Sequence, residues 1–301
     1  MEMKFRAHET FFIRKGWISK GMRYVAKTNG EVFISKTDNP MDVLGIGANM
    51  VKALRYWLQV IGITEEPRSG KRNQKFTKFG QLVFEHDKYI DELGTLYLLH
   101  YKLATNKVLA TSWYYFFNCF SLSDFTKDDF VIQLGNYIKI KAVDANVASR
   151  SLEDDFTCII NTYIPKNRVT SNKVSPENNI DCPFGDLGLI DILKRERSNT
   201  SYKKSIPVAS TFNPWVILAV IHDNAQGRKE IGLNELLTAE NNIGKVYNLD
   251  SVTMLDILHL VERTGELKII RTAGLDVITL SHDYKFEECV MRYYEEIESI
   301  K

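Results

Sequence analysis

The sequence has few of the features that mark secreted, membrane or zinc-binding proteins. Its 301 residues contain only four cysteines, Cys119, Cys158, Cys182 and Cys289, and none of them forms a CxxC pair. The missing pair argues against a zinc site, and scattered thiols are typical of a reducing, intracellular compartment. The longest apolar run, 215–222, is too short to span a bilayer, and the first twelve residues contain no signal-peptide stretch. The sequence therefore predicts a cytoplasmic protein.

Several enzyme motifs are also missing. The chain has no GxxxxGK[ST] phosphate loop, which argues against a nucleotide cofactor, and no HExxH, GxSxG or clear PD…ExK pattern. Two local groups remain as catalytic candidates. His8 and Glu9 form the first, and the second contains Asp154 and Asp155, whose carboxylates could hold Mg²⁺ or Mn²⁺ for phosphodiester hydrolysis. Alternatively, a His-Glu pair is a packing feature, and an acidic triplet is typical of the first turn of a helix.

Charge of one sign is scarce at each end of the chain, although the net charge is only +1. Residues 1–80 carry 15 Lys and Arg against 7 Asp and Glu, whereas residues 212–301 carry 9 against 15. A basic end favours contact with phosphates, and an acidic end opposes it. The distribution therefore predicts that any nucleic-acid contact belongs to the first region.

The first eighty-five residues follow the element order of a winged helix-turn-helix. Apolar residues at helical spacing predict a helix over 16–27, and Asn39-Pro40 predicts the start of a short helix over 40–44. After a glycine turn, Asn49 is expected to cap a longer helix over 50–61. A loop rich in Arg and Lys around Gly70 then predicts a basic hairpin, the wing.

The predicted recognition helix and wing supply candidate contacts to double-stranded DNA. Arginine can bind guanine, and glutamine adenine, through two hydrogen bonds, whereas basic side chains on a wing suit phosphates. An isolated basic run usually only solvates a surface, but here it follows a helix with a basic face. The candidates are Asn49, Lys52, Arg55, Tyr56 and Gln59 on the helix, and Arg68, Lys71, Arg72, Lys75 and Lys78 on the wing.

The rest of the chain predicts a helical, aromatic-rich middle and a second, acidic winged helix. Helical patterns at 214–221, 233–237 and 252–263 precede a hairpin around Ala273-Gly274. The prediction is a mainly α fold with small β-hairpins (α+β). Its domains are a basic winged helix over 1–85, a helical middle over 86–205 and an acidic winged-helix-like domain over 206–301. Dimerisation or partner binding is the expected role of the last.

Six further segments form a set of motifs along the chain. They are HETFFIRKGWISKG at 8–21, LGIGANMVKALRYWLQVIGI at 44–63, TKFGQLVF at 77–84, LGTLYLLHYKLA at 93–104, WYYFFN at 113–118 and DDFTCIINTYIP at 154–165. In this order they resemble a bacterial family labelled as a domain of unknown function, which includes SspB, the DNA-nicking component of the Ssp phosphorothioation system. The motif positions here are His8, Glu9, Arg14, Asn49, Arg55 and Trp57, while Ala48 stands where the family pattern has Lys.

The resemblance implies a nickase in anti-phage defence that works with a cysteine desulfurase, an ATPase and a sulfur-transfer enzyme. Nicking would require a metal ion. The sequence leaves open whether the protein forms a homodimer. The residues alone leave two alternatives: a non-catalytic DNA-binding adaptor or regulator that recruits modification enzymes, and a protein-interaction scaffold with an incidental basic wing.

Overall fold

The structure is a computed structural model that describes residues 2–67, 69–142, 147–165, 182–195, 200–272 and 275–300. It confirms a mixed α+β fold that is mainly helical, with small antiparallel sheets. Buried apolar side chains from Ile13 to Tyr294 form one continuous hydrophobic cluster. No helix in these ranges is both long enough and apolar enough to cross a membrane.

The N-terminal region, which we define as residues 17–76, begins with three helices and a short hairpin. Helix α1 buries the apolar stripe that its spacing predicts, and α2 begins after Asn39, whose side chain accepts from the Met41 N–H at 3.1 Å. The predicted cap of α3 is wrong, because the N-cap is Gly47 and Asn49 lies inside the first turn. The elements are α1 (Trp17–Thr28), α2 (Pro40–Leu44), α3 (Ala48–Val60), β1 (Thr64–Glu65) and β2 (Lys75–Phe76).

The middle of the chain is built around large aromatic side chains. A π-helix, Tyr115–Cys119, follows α6, and Lys204 Nζ donates to the carbonyls of Phe116 and Phe120 near its end, at 2.7 and 2.6 Å. The elements are α4 (Lys78–His86), α5 (Leu93–Thr105), α6 (Thr111–Tyr114), β3 (Asp124–Phe125), α7 (Lys127–Lys141), α8 (Ser149–Tyr163), β4 (Ile190–Arg195) and β5 (Thr200–Lys204).

The middle strands form a small antiparallel sheet in the order β3-β5-β4. The polar composition of 198–205 predicts a loop, and this is wrong for Thr200–Lys204, where β5 lies. A second polar segment, 165–179, is predicted to be a loop and a domain boundary, and it lies almost entirely outside the described residues.

The C-terminal region, residues 214–280, has the three-stranded antiparallel order β6-β8-β7, and β7 pairs with β8 along their full lengths. The predicted turn Ala273-Gly274 lies outside the described residues. A last helix then packs between α9 and α4, with Phe286 edge-on to Phe79 at 5.5 Å. The elements are α9 (Pro214–Ala225), β6 (Glu230–Gly232), α10 (Leu233–Thr238), α11 (Ile243–Val246), α12 (Ser251–Glu262), β7 (Leu267–Thr272), β8 (Leu275–Leu280) and α13 (Phe286–Ile300).

A buried histidine joins the C-terminal region to the middle. The His100 Nε2–H donates to the Val246 carbonyl at 2.7 Å, and because a carbonyl only accepts, Nδ1 accepts from the Tyr163 hydroxyl at 2.8 Å. Burial lowers the pKa of His100 to about 4. The side chain is therefore neutral near pH 7, as this pair of hydrogen bonds requires.

Candidate nucleic-acid interface

Helix α3 is packed on more of its surface than its apolar stripe predicts. Tyr56 is buried, and its hydroxyl donates to the Leu109 carbonyl at 3.1 Å, so the prediction that it lies on the exposed face is wrong. Burial and the nearby Asp155 charge raise the pKa of Tyr56. Only Asn49 and Lys52, among the predicted contacts on this helix, are exposed.

The base of the hairpin is held by a carboxylate. Glu66 accepts from Arg55 Nε at 2.6 Å and from Arg55 Nη2 at 2.9 Å, and it also accepts from Gln59 Nε2 at 3.1 Å. Gln74 Nε2 donates to the Arg55 carbonyl at 2.7 Å and closes the other side of the hairpin. Arg55 and Gln59 are therefore engaged inside the protein in this conformation.

The remaining predicted wing residues differ in how far they are neutralised. Lys71 pairs with Glu31, and this contact lowers the pKa of the Glu31 carboxyl. Arg72, Lys75 and Lys78 are exposed, and none makes an ion pair with another residue that the structure describes. Arg68 lies outside the described residues.

A second basic surface, absent from the predicted contacts, lies along α1. We name it the α1 cleft, and it consists of two adjoining depressions that share Gly16 and Lys20. Among the residues that the structure describes, no Asp or Glu lines either depression. The described lining is Arg14, Lys15, Gly16, Trp17, Lys20, Gly45, Ile46, Gly47 and Met50 in one, and Gly16, Ser19, Lys20, Arg23, Phe84, Lys88 and Tyr89 in the other. The signal in the sequence is the spacing of Lys20 and Arg23 on one face of α1.

The structure brings together two of the predicted catalytic residues, His8 and Asp155, which are 147 positions apart in the chain. The His8 Nε2–H donates to Asp155 Oδ1 at 2.7 Å, and the Arg6 N–H donates to the same oxygen at 2.8 Å. Ser112 Oγ donates to Asp155 Oδ2 at 2.5 Å. Both carboxylate oxygens are therefore occupied by donors of the protein itself.

The aromatic surroundings of this pair shield it from solvent. His8 is 0% exposed and Asp155 is 1% exposed. The His8 ring stacks on Trp57 with centroids 6.3 Å apart and meets the edge of Trp113 at 5.7 Å. A phosphodiester cannot reach Asp155 in this conformation.

The other two candidates, Glu9 and Asp154, lie apart from this pair. Asp154 pairs with Arg6 Nε at 2.7 Å, and half-buried Glu9 takes part in neither contact. The acidic triplet Glu153-Asp154-Asp155 lies in the second turn of α8, which begins at Ser149. The alternative that placed this triplet in the first turn of a helix is therefore wrong. The segment before α1 turns sharply here, since Arg6, Glu9 and Thr10 all have positive φ.

The described residues contain no group of three or more His, Cys, Asp or Glu side chains that could hold a metal ion. The His8–Asp155 cluster does not fit Mg²⁺, which requires an open octahedral shell of oxygen ligands. Its hydrogen bonds connect the segment before α1 to α6 and α8.

Comparison with known proteins gives a family and a fold. A family model described as "Protein of unknown function (DUF4007)" matches residues 5–294. Two solved structures, "Magnesium ion-bound SspB crystal structure" and "SspB crystal structure", are each 25% identical to this chain. They superpose with TM-scores of 0.83 and 0.84, over 98% of this chain and 89% of theirs. No curated protein matches.

Proposed function

The chain belongs to the DUF4007 family, and we propose that it is an SspB-like DNA-binding protein that nicks DNA for phosphorothioation. The match confirms the family resemblance that the sequence motifs predict. The observation that carries the proposal is the basic surface formed by the N-terminal hairpin and the start of α4, where Arg72, Lys75 and Lys78 are exposed and have no partner acid among the described residues. Such side chains favour contact with a phosphate backbone.

In this proposal the N-terminal region is a winged helix-turn-helix. Asn49 and Lys52 at the start of α3 face the groove, and the exposed cations of the hairpin and of the start of α4, together with Lys71 and Arg68, contact phosphates. Arg55, Tyr56 and Gln59 then position the helix and the hairpin, since their contacts lie within the protein. The divisions at 85 and 205 remain part of the proposal.

The C-terminal region also runs from a first helix through short helices to a longer helix and a hairpin, with one additional strand, β6, and we assign it a different partner. Its long helix α12 exposes Asp256 and His259, and Glu262 near its end accepts from the Ile269 N–H at 2.8 Å, which lowers the Glu262 pKa. Acidic side chains repel phosphate. We propose that this surface recruits the other proteins of the system: a cysteine desulfurase, an ATPase and a sulfur-transfer enzyme.

One observation favours the alternative function, a DNA-binding adaptor that does not cleave. His8 and Asp155 are buried, and both oxygens of Asp155 accept from donors of the protein, which leaves only Glu9 and Asp154 of the predicted catalytic residues near solvent. An adaptor would bind duplex DNA and carry the modification enzymes to it.

The two functions are separated by a supercoiled-plasmid assay with Mg²⁺ or Mn²⁺. Nicking by the chain gives open-circle product that accumulates with time, and it is reduced at least 10-fold in Glu9→Gln or Asp154→Asn if either residue takes part. Binding without open-circle product under both metals would establish the adaptor. Asp128→Asn, on the exposed first turn of α7, is the matched control.

The duplex-binding surface is tested with matched charge reversals in the two regions. We expect Arg72→Glu with Lys75→Glu to weaken duplex affinity by about 10- to 100-fold and to reduce the slope of log K against log salt by about two. Lys268→Glu with Arg271→Glu, on the C-terminal hairpin, should change affinity less than about twofold. Equal losses from both pairs, or from neither, would contradict the assignment.

A further inference from the structure

A hydrogen-bonded turn after α4 places the side chain of a tyrosine in solvent. Tyr89 is 66% exposed, which is unusual for a ring of its size. The Asp87 side chain accepts from the N–H groups of Asp91 and Glu92 at 2.9 and 3.1 Å, and the Ile90 N–H donates to the Asp87 carbonyl at 3.0 Å. These bonds fix the turn around Tyr89.

The backbone of this turn carries strain. Ile90 has φ of +59°, a left-handed conformation that a β-branched residue rarely adopts, and its side chain packs against the core. Strained residues persist where the surrounding contacts hold them, and they concentrate at functional sites. In this turn the Ile90 side chain packs against the core, and the neighbouring Tyr89 side chain is exposed to solvent.

The surroundings of Tyr89 are basic. Its ring lines one depression of the α1 cleft with Lys20, Arg23 and Lys88, and Lys88 Nζ lies 5.1 Å from the ring centroid. None of these cations makes an ion pair with another described side chain, although Lys20 Nζ donates to the Leu44 carbonyl at 3.1 Å.

The cleft continues to the start of α3. Its second depression contains Arg14, Lys15 and the turn Gly45-Ile46-Gly47, and Gly47 caps α3 without a side chain. Asn49 and Lys52 follow immediately on that helix. The cleft is therefore continuous with the surface that we assign to duplex DNA.

We infer that the α1 cleft binds single-stranded DNA, with a base stacked on Tyr89 and its phosphates on Lys20, Arg23 and Lys88. An exposed aromatic ring beside cations suits an unpaired base, whose face is free, whereas the bases of a duplex are already stacked on one another. A strand released beside a nick or gap supplies such a base next to the duplex surface. The inference rests on the proposed DNA binding, and it adds a strand-specific site to it.

Fluorescence anisotropy of the full chain tests this inference with three probes: a duplex, the same duplex with a three-nucleotide gap, and a twelve-residue oligo-dT. Tyr89→Ala should weaken binding of oligo-dT about 10-fold, because stacking contributes about 1 to 3 kcal/mol per base, while duplex affinity changes less than about twofold. Binding of the gapped duplex should weaken as well. Tyr89→Phe keeps the ring and should bind like wild type.

Two charge-reversal variants and a crosslinking experiment give independent readouts. Lys88→Glu should weaken oligo-dT binding, whereas Lys139→Glu, on the exposed side of α7, should not. Oligo-dT that contains 5-iododeoxyuridine should crosslink to the peptide with Tyr89 on irradiation. Melting curves of the Tyr89 variants should match wild type, since the ring is largely exposed.

The outcomes separate this inference from the proposed function. Unchanged oligo-dT affinity in Tyr89→Ala, or binding of duplex without any binding of oligo-dT, would overturn the inference and leave duplex binding intact. Oligo-dT binding without duplex binding would support the cleft and contradict the proposed duplex surface. Binding of no probe would contradict both.

Discussion

The N-terminal and C-terminal regions follow one plan and differ in charge. In each, a first helix ends in two residues with positive φ, Asn29 and Gly30 after α1, Gln226 and Gly227 after α9. At least one short helix, a longer helix and a hairpin follow in both, and the C-terminal region adds the strand β6. Because this succession of helices and hairpin is shared while the net charge is opposite, the fold alone does not specify what each region binds.

The two hairpins are stabilised in different ways. The C-terminal hairpin has six-residue strands and a third strand beside it, so backbone hydrogen bonds hold it. The N-terminal hairpin has strands of only two residues. It is held by Glu66, which accepts from Arg55 and Gln59, and by the Gln74 N–H, which donates to the Gly30 carbonyl at 3.2 Å. The basic hairpin is therefore attached by side chains and by the close backbone approach of Gln74 to Gly30.

The largest expected effect comes from replacing the glycine at the end of the first helix in each region. In Gly30→Ala the new Cβ would lie 1.7 Å from the Gln74 carbonyl oxygen, whereas at Gly227 nothing lies within 4 Å. We expect Gly30→Ala to lower the free energy of unfolding by more than about 3 kcal/mol, and Gly227→Ala by about 1 kcal/mol from backbone strain alone. Chemical denaturation measures both, and equal losses would show that the close approach to Gln74 does not matter.

A second prediction concerns the buried polar cluster around Asp155, which connects the segment before α1 to α6 and α8. Asp155→Ala leaves His8, Ser112 and the Arg6 N–H without an acceptor, so we expect a loss of about 3 kcal/mol in the free energy of unfolding. Asp154→Ala removes only the contact with half-exposed Arg6 and should cost less than about 1 kcal/mol. A small effect of Asp155→Ala would mean that the cluster does not hold the segment.

Local patterns in the sequence predict much of both regions. The bounds of α2 agree residue for residue with the prediction, because Asn39, Pro40 and Gly45 mark its two ends. Helices α1, α3 and α12 begin and end within two residues of prediction, because their apolar side chains recur at helical spacing. The charge asymmetry between the two ends likewise follows from the order of the residues alone.

Contacts between distant segments could not be predicted in this way. The burial of Tyr56 depends on Leu109, and the cluster around Asp155 depends on His8 and Ser112, and neither contact leaves a periodic signal. The α1 cleft joins α1 to the turn at Tyr89, which the sequence separates by some sixty residues. Sequence periodicity indicates which face of an element is apolar, but not how many neighbours pack against it.

The C-terminal region is attached to the middle through a buried histidine, whereas residues 17–76 contain no histidine. The pKa of His100 is about 4 in the folded chain and about 6.5 in the unfolded chain. The unfolded chain therefore binds more protons between these values, and stability falls as pH decreases through this window. We expect a loss of about 1 kcal/mol between pH 7 and 5.5 from this group. His100→Gln should lose less over the same interval, as denaturant titrations at each pH would show; an unchanged pH slope would contradict the assignment.

The smallest expected effect tests whether the basic hairpin reads bases through Arg55. In the structure Glu66 accepts from two of the three guanidinium nitrogens of Arg55, Nε and Nη2, so base contact requires that this pair open. If the pair only supports the hairpin, Glu66→Gln removes one negative charge from the proposed surface and tightens duplex binding by about two- to threefold on every sequence. If Arg55 binds guanine, the gain should instead be larger on some sequences than on others, because release of Arg55 favours a base-specific contact. Competition with a pool of random duplexes distinguishes the two results, with Glu65→Gln, an exposed neighbour on β1, as the control for charge alone.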